Sequence, residues 1–546
     1  MTKALQALII STLLCVVVGC GKQELTNVEF GNNNQILFIG NGDEPQGLDP
    51  HTTTGMPDFH VISALFEGLT SLHPKTLEPQ PAIAESWKIS DNKLDYTFSI
   101  RSNARWSNGD SLTAHDIVYS WERALTPNMA NPYAYMMHYI KNAESFNVGK
   151  LTNFKHVGVK AIDDKTLLVT LTNPTPFFLE LLDHHTYYPV HPPTIKKHGD
   201  MTDRNSQWTL PENMVNSAPF TLKRWEINSV IEVVKNPLYW DAENVKLNAI
   251  HFLPITDQQA EERAFRSGQI HLTDTPQMAI EKIATYEKKS PELLQKYAVY
   301  SNYFYSINTT RKPFDDIRVR KAFSYAIDRE ALVKHITKGG EVPAFNFVPP
   351  DSSGHKPNAH FSYDPEQARA LLSEAGYPNG EGVPSFDILY NTHDNHRKVA
   401  LAIQQMWQDT LNVKANLVNQ EWKVFLDTQH NMHYDISRFG WVADYRDPSN
   451  FYELLLSYGG NNYTGWKNED YDTAILAAQS EPNTAARYAL FEQANKLIVD
   501  EMPIIPLYFM VDLNYVQPNV KNWHPNVLHR HPFKSVYLAT PQPASE

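Results

Sequence analysis

Cysteine is almost absent: Cys15 and Cys20 are the only two in 546 residues. Both lie within the first twenty positions, so the remainder can form no disulfide and offers no thiolate nucleophile. Basic charge is in deficit, with 48 Lys and Arg against 61 Asp and Glu and a formal net charge of −13. That balance argues against a nucleic-acid backbone or an anionic membrane surface as the main partner, and it permits cationic ligands. Long apolar runs are missing apart from residues 4–18. No G-x-S-x-G, phosphate-binding loop or H-E-x-x-H occurs, and neither does an internal repeat, a heptad run or a low-complexity block. What is present is a globular composition, 42% hydrophobic and 20% charged, over a length that calls for several domains.

The apolar run follows Lys3 and ends in Val17-Val18-Gly19-Cys20. It is too short to span a bilayer comfortably, but it suits a signal-peptide core, and small residues before a Cys resemble a bacterial lipoprotein signal. The expectation is a signal peptide over residues 1–19 and lipidation of Cys20, with the polar residues 21–35 as a tether. A plain secretory signal is the alternative.

Periodicity gives a coarse map. Ile36 to Ile39 reads as a buried strand, and the glycines after it lack the spacing of a dinucleotide loop. Val61 to Leu69 is a helical pattern, Trp87 to Ile89 and Tyr96 to Ile100 alternate as strands, and Thr113 with Asp116 can cap a helix over Ile117 to Leu125. Further strands are predicted over residues 157–172, 220–222, 230–234 and 250–252. Asp364 and Pro365 open a helix that Gly376 stops. Then come a strand (386–390), a helix (397–411), a strand (413–418), a helix (422–430) and a strand (435–439), an alternation that predicts an α/β sheet.

The last of these strands leads into the most informative stretch, Asp435 to Asn450. Gly440 reads as an interruption, and beyond it Asp444 is flanked by Trp441, Val442, Ala443 and Tyr445. A carboxylate so placed needs a cation or several donors if the stretch packs. It is either a fixed anion awaiting a ligand's positive charge, or an Asp that caps its own turn or pairs with Arg446.

Catalytic patterns are sparse. Ser353-Gly354-His355-Lys356 and Ser90-Asp91-Asn92 match motifs of penicillin-interacting serine enzymes, but in the wrong order and without a K-T-G. His393 with His396, His430 with His433, and the group His524, His529 and His531 have spacings of interest for a metal. No acidic or thiol residue nearby in sequence completes a closed set, so no metal and no cofactor is expected.

Several segments together resemble the oligopeptide-binding solute receptors of bacterial ABC importers. They are Leu48-Asp49-Pro50-His51, Ala84-Glu85-Ser86-Trp87, Arg105-Trp106-Ser107-Asn108-Gly109, Pro313 to Arg320, Asn419-Gln420-Glu421-Trp422 and Gly440 to Tyr445. The resemblance implies a bilobal α/β binding-protein fold with an extra α+β domain and a cleft between lobes. Domain I would comprise 20–67, 195–300 and 512–546, domain II 68–194 and domain III 301–511, with chain crossings near Tyr300 and Val511. It implies a protein that binds oligopeptides and catalyses no reaction. Its partners would be the peptide and the importer's membrane permease, with the envelope reached only through the lipid anchor and the protein itself a monomer; a murein-peptide receptor is the close alternative. Residue by residue, Asp444 falls on the aspartate that receives the peptide's α-ammonium group. Thr54, Gly55 and Met56 fall on an extended segment that pairs with the ligand main chain. Trp422, Arg438, His396 and Tyr133 fall on cleft positions. Gln429 stands where relatives carry a second pocket arginine, Ser306 where they carry a glutamate and Thr337 where they carry a lysine, while Ser301 and Val442 occupy the places of a disulfide found in some.

Overall fold

The computed structural model describes residues 25–274, 279–349 and 354–539. Cys20, with the signal-peptide and lipidation readings, and Ser353 lie outside the described residues. Three larger sheets organise the chain. In the first, five strands lie in the order Leu272–Thr273, Ile36–Gly40, Ala249–Leu253, Val230–Lys235 and Phe220–Glu226. Ile36–Gly40 runs parallel to both neighbours, which fits its uninterrupted apolar run, and the other pairs are antiparallel.

Four antiparallel strands, Ala84–Ile89, Asp95–Ile100, Thr166–Thr170 and Val159–Asp163, form the second sheet. Asp95–Ile100 alternates strictly, burying Tyr96, Phe98 and Ile100 in the same apolar core as Ile117 and Trp121 of the helix Ala114–Leu125. The predicted cap of that helix is present: the Asp116 carboxylate accepts from the Thr113 N–H at 2.8 Å. Arg123, near the end of the helix, is fully buried and donates to both oxygens of Asp49, at 3.0 and 2.6 Å. This pair ties the Leu48 to His51 turn to the second sheet's unit. Ser90 and Asn92 hydrogen-bond to each other at 2.5 Å in the turn between the first two strands, so the second serine-enzyme motif is a hairpin connection.

Six strands make the third sheet, ordered Val342–Pro343, Ile504–Phe509, Ser301–Ile307, Ile436–Val442, Asp387–Asn391 and Asn416–Gln420. The predicted alternation is here: Asp387–Asn391 lies parallel to both Asn416–Gln420 and Ile436–Val442, and the helices Asp394–Leu411 and Trp422–His430 make the crossovers. The sheet is mixed because Ser301–Ile307 is antiparallel to its neighbours. Two expectations need correction. Gly440 does not interrupt its strand, which continues to Val442 with Gly440 opposite Tyr303 and Val442 opposite Ser301; a continuous ladder with Ser301–Ile307 overrides the glycine's weak strand preference. The helix placed at 61–69 spans Met56–Leu65, because Pro57 suits a first turn and Phe66 is already extended.

Leu294–Ala298 pairs antiparallel with Val511–Tyr515, and each strand continues directly into the third sheet, through Ser301–Ile307 and Ile504–Phe509 respectively. The chain therefore crosses between sheets at residues 299–300 and 510. One apolar core underlies the first sheet and another the third. The remaining large core joins the second sheet to the helices Glu469–Ser480 and Thr484–Glu501. Among the described residues, no helix is long and apolar enough to cross a membrane.

Candidate functional site

A cleft with about 1320 Å³ of free space, part of it open solvent, lies where the loops after Ile36–Gly40, the start of the helix Met56–Leu65, the C-terminal segment around Arg530 and the third sheet converge. Thr54, Gly55, Met56, Tyr133, His396, Trp422, Arg438 and Asp444 all line it. Gln429 does not. It is buried behind the strand, where its amide donates to Ser437 Oγ at 3.0 Å and to the Arg438 carbonyl at 3.1 Å, so it braces the wall instead of facing the cavity. Met56 is the first helical residue, and the extended segment ends at Gly55. A side chain at Gly55 would meet Trp422 at 3.2 Å, so the glycine lets the two walls approach.

Alternation puts Arg438, Gly440 and Val442 on one face of their strand, and Asp444 follows in the bend just beyond its end. The Arg438 side chain leans along the strand: a Cβ on Gly440 would lie 3.1 Å from its Nη2. The guanidinium therefore sits over position 440, on the Asp444 side of its own Cα.

At the acidic end, Asp444 Oδ1 is 3.2 Å from His184 Nε2 and 3.4 Å from Arg530 Nη2. The other oxygen, Oδ2, is buried and has no hydrogen-bond partner. Burial pushes the His184 imidazole below its ordinary pKa against the pull of Asp444, so it is a weak counter-ion. Arg446 does not pair with Asp444; it binds Glu180 at 3.0 Å and the carbonyls of Thr76 and Leu77. The turn is held instead by Asn450, whose Oδ1 accepts from the Asp444 N–H at 3.2 Å and from Trp441 Nε1 at 2.8 Å. Tyr133 packs against His184 and His185 with ring centroids 4.6 and 5.0 Å away, and burial with the Asp444 charge keeps its phenol protonated.

At the basic end, Arg438 has no ion pair among the described residues. Nη1 donates to Asn391 Oδ1 at 3.4 Å, the guanidinium lies 5.0 Å from the Tyr303 ring, and the buried Nε has no partner. His393 and His396 stack at 4.3 Å beside it, and burial together with the Arg438 charge holds both neutral, His393 down at about 3. Two further donors or acceptors on this wall, Trp422 Nε1 and His393 Nδ1, are buried without partners. The cavity thus offers a carboxylate oxygen on one wall and, on another, a guanidinium with unmet hydrogen-bonding groups on the same wall.

Sequence reading missed His184, His185 and Arg530. They come from segments remote from 435–450 and carry no local signal, since only the fold brings them to Asp444. His393 was visible through its spacing from His396, which suggested a metal and not a wall.

Residues 78–463 match the family described as bacterial extracellular solute-binding proteins, family 5. The periplasmic oligopeptide-binding protein OppA of Salmonella typhimurium is 35% identical over 544 residues, 98% of this chain and 97% of that protein. The Haemophilus influenzae OppA complex with the peptide RPPGFSPFR superposes with a TM-score of 0.88 at 32% identity, over 92% of this chain and 99% of that one. The Escherichia coli murein tripeptide-binding protein MppA also gives 0.88, at 33% identity over 92% and 98% of the two chains. An unliganded open form of MppA gives only 0.61, at 32% identity over 92% and 97%. Sequence likeness is nearly the same in both MppA comparisons, so the lower score reflects the conformation of the open form.

Proposed function

This chain belongs to the bacterial extracellular solute-binding proteins of family 5, and from that membership we propose that it captures oligopeptides in the cavity between its lobes and delivers them to an ABC importer. It acts by binding alone and catalyses no reaction. Asp444 receives the α-ammonium group of the peptide, and Arg438 with Asn391 and His396 receives the carboxylate. The Thr54–Gly55 main chain pairs with the ligand as an added strand, and Trp422 and Tyr133 wall its side chains. One observation carries this reading: a bare carboxylate oxygen and an unpaired guanidinium face one cavity from a single strand and the turn beyond it.

The three-domain division follows the three sheets, with the paired crossing strands as the hinge about which the lobes close. Cys20 carries the lipid that holds the protein, a monomer, in the cell envelope. Placing recognition on charges common to all peptides leaves side-chain choice permissive. A peptide with additional carboxylates, as in murein, is the second reading, favoured by the uncompensated Arg438. Native mass spectrometry of the protein as purified tests both: released peptides with free termini are expected. Purification with a non-peptide ligand, or failure to bind any peptide in calorimetry, overturns the proposal.

A further inference from the structure

The floor of the cavity holds a cluster that peptide capture does not use. His60 from the helix Met56–Leu65, Asp274 just beyond the strand Leu272–Thr273, and His529 from the C-terminal segment all line the cavity, and all three are buried. One ligand-competent atom from each lies within 4.8 Å of the others. His60 Nδ1 is 3.4 Å from Asp274 Oδ2, and His529 Nε2 is 2.9 Å from Asp274 Oδ1. Donor atoms bound tetrahedrally at ~2.0–2.1 Å from a metal stand about 3.3 Å apart; both contacts are near that length but run to different oxygens of Asp274, so a small rotation of the carboxylate or a ring brings the three donors to one centre.

The surroundings orient the set. His529 Nδ1 contacts Asp512 on the crossing strand Val511–Tyr515, and Asp512 is itself held by Asn514 Nδ2 at 3.0 Å. A carboxylate behind a ligating imidazole fixes the ring and its tautomer and presents the far nitrogen to the metal. His60 Nδ1, the nitrogen that faces Asp274, is also 3.1 Å from Asn41 Oδ1, a contact that the metal would replace. Two imidazoles and one carboxylate, with the remaining position toward the cavity, form the donor set of an open site for a borderline divalent ion.

We propose that His60, Asp274 and His529 bind a divalent transition-metal ion of the Zn²⁺ class, with Asp512 as a positioning residue and a fourth coordination position open to the cavity. The rival arrangement is an imidazolium of His529 bridging Asp274 and Asp512, which accounts for the ion pairs without a metal. Chelator-treated full-length protein, free of peptide, titrated with ZnCl₂ alone in a calorimeter separates the two. One saturable site is expected, and Co²⁺ in its place should give the visible absorption of a low-coordinate centre. Asp512→Asn should weaken Zn²⁺ binding about 10–100-fold, the usual effect of removing a carboxylate behind a ligand. His60→Gln should weaken it at least as much while leaving His529 between its two carboxylates, so the fold survives; thermal melting checks this. If His60→Gln proves unfolded, the wild-type Co²⁺ spectrum and Asp512→Asn decide. No saturable binding up to ~100 μM Zn²⁺, or unchanged affinity in folded variants, overturns the proposal in favour of the imidazolium bridge. Peptide affinity is not read in this experiment, so its outcome is independent of the peptide reading.

Discussion

Asp447 gives its two oxygens to Arg487, each at 2.7 Å, whereas Asp444, three residues earlier, shares one oxygen between His184 and Arg530 and leaves the other without a partner. The contrast extends to the regions around them. Beyond Asp444 the chain forms a seam with the second sheet's unit, and the buried charges there are satisfied. Arg446 binds Glu180, and Glu453 accepts from Tyr139, from Tyr445 at 3.0 Å and from Gln479 at 2.8 Å, with burial pushing its carboxyl up to about 7. Before Asp444 the wall of the cavity holds Arg438 Nε, Trp422 Nε1 and His393 Nδ1, all buried and unmet. Buried polar groups are costly without partners, so a concentration of them on one wall marks where a ligand supplies what the protein omits.

If the seam is structural and the wall functional, substitutions in the two should separate stability from affinity. The largest effect is expected in the seam. Arg487→Ala leaves Asp447 nearly buried and unpaired, which should lower unfolding free energy by ~3–5 kcal/mol in denaturant titration. Peptide affinity of the folded fraction should change little; a comparable loss of affinity without loss of stability would erase the distinction.

On the wall, Arg438→Gln should cost about 1.5–3 kcal/mol of binding, the value of a charged hydrogen bond, or roughly 10–150-fold in Kd. A C-terminally amidated peptide should show the same deficit against the wild type and no further deficit against the variant. Additive losses would place the carboxylate elsewhere.

The smallest effect concerns pH. His393 is neutral in the folded protein, pushed down to about 3, so its titration should not alter affinity between about pH 8 and 5. Stability behaves differently. Below the unfolded value near 6.5 the unfolded chain takes up a proton that the folded chain refuses, so this residue's contribution falls as pH drops from about 6.5 toward 3. A titrating His393 resonance near pH 6.5 in the folded protein would contradict it.

Much of the architecture was legible in the sequence because local chemistry decided it. The Thr113 and Asp116 cap, the Asp364 start and the alternation from 386 to 439 are each set by neighbours within a few residues, and each is present. Gly440 was misread because strand continuation there depends on Ser301–Ile307, more than a hundred residues away. Asp444 stood out from its apolar neighbours, but its partners Arg530 and His184 are long-range and invisible locally. Gln429 was placed in the cavity by likeness to relatives, while its amide is taken up by the strand in front of it. The proposed metal set carries no local signal for the same reason: His60, Asp274 and His529 are spread over the chain, and spacing rules find only clusters that are local.

The central claim is that the bare oxygen of Asp444 is reserved for a ligand's amino terminus, and calorimetry with a free-amine tripeptide and its N-acetylated form, each against the wild type and Asp444→Asn, tests it most directly. Losing one partner of a desolvated charge pair costs ~2–5 kcal/mol, so acetylation should weaken wild-type binding at least about thirtyfold. Asp444→Asn should weaken the free-amine peptide to a similar degree and discriminate little between the two forms, with melting temperature nearly unchanged because the amide oxygen still faces Arg530. Equal wild-type affinity for both peptides, or an Asp444→Asn variant that still prefers the free amine, would show that the amino terminus is held elsewhere.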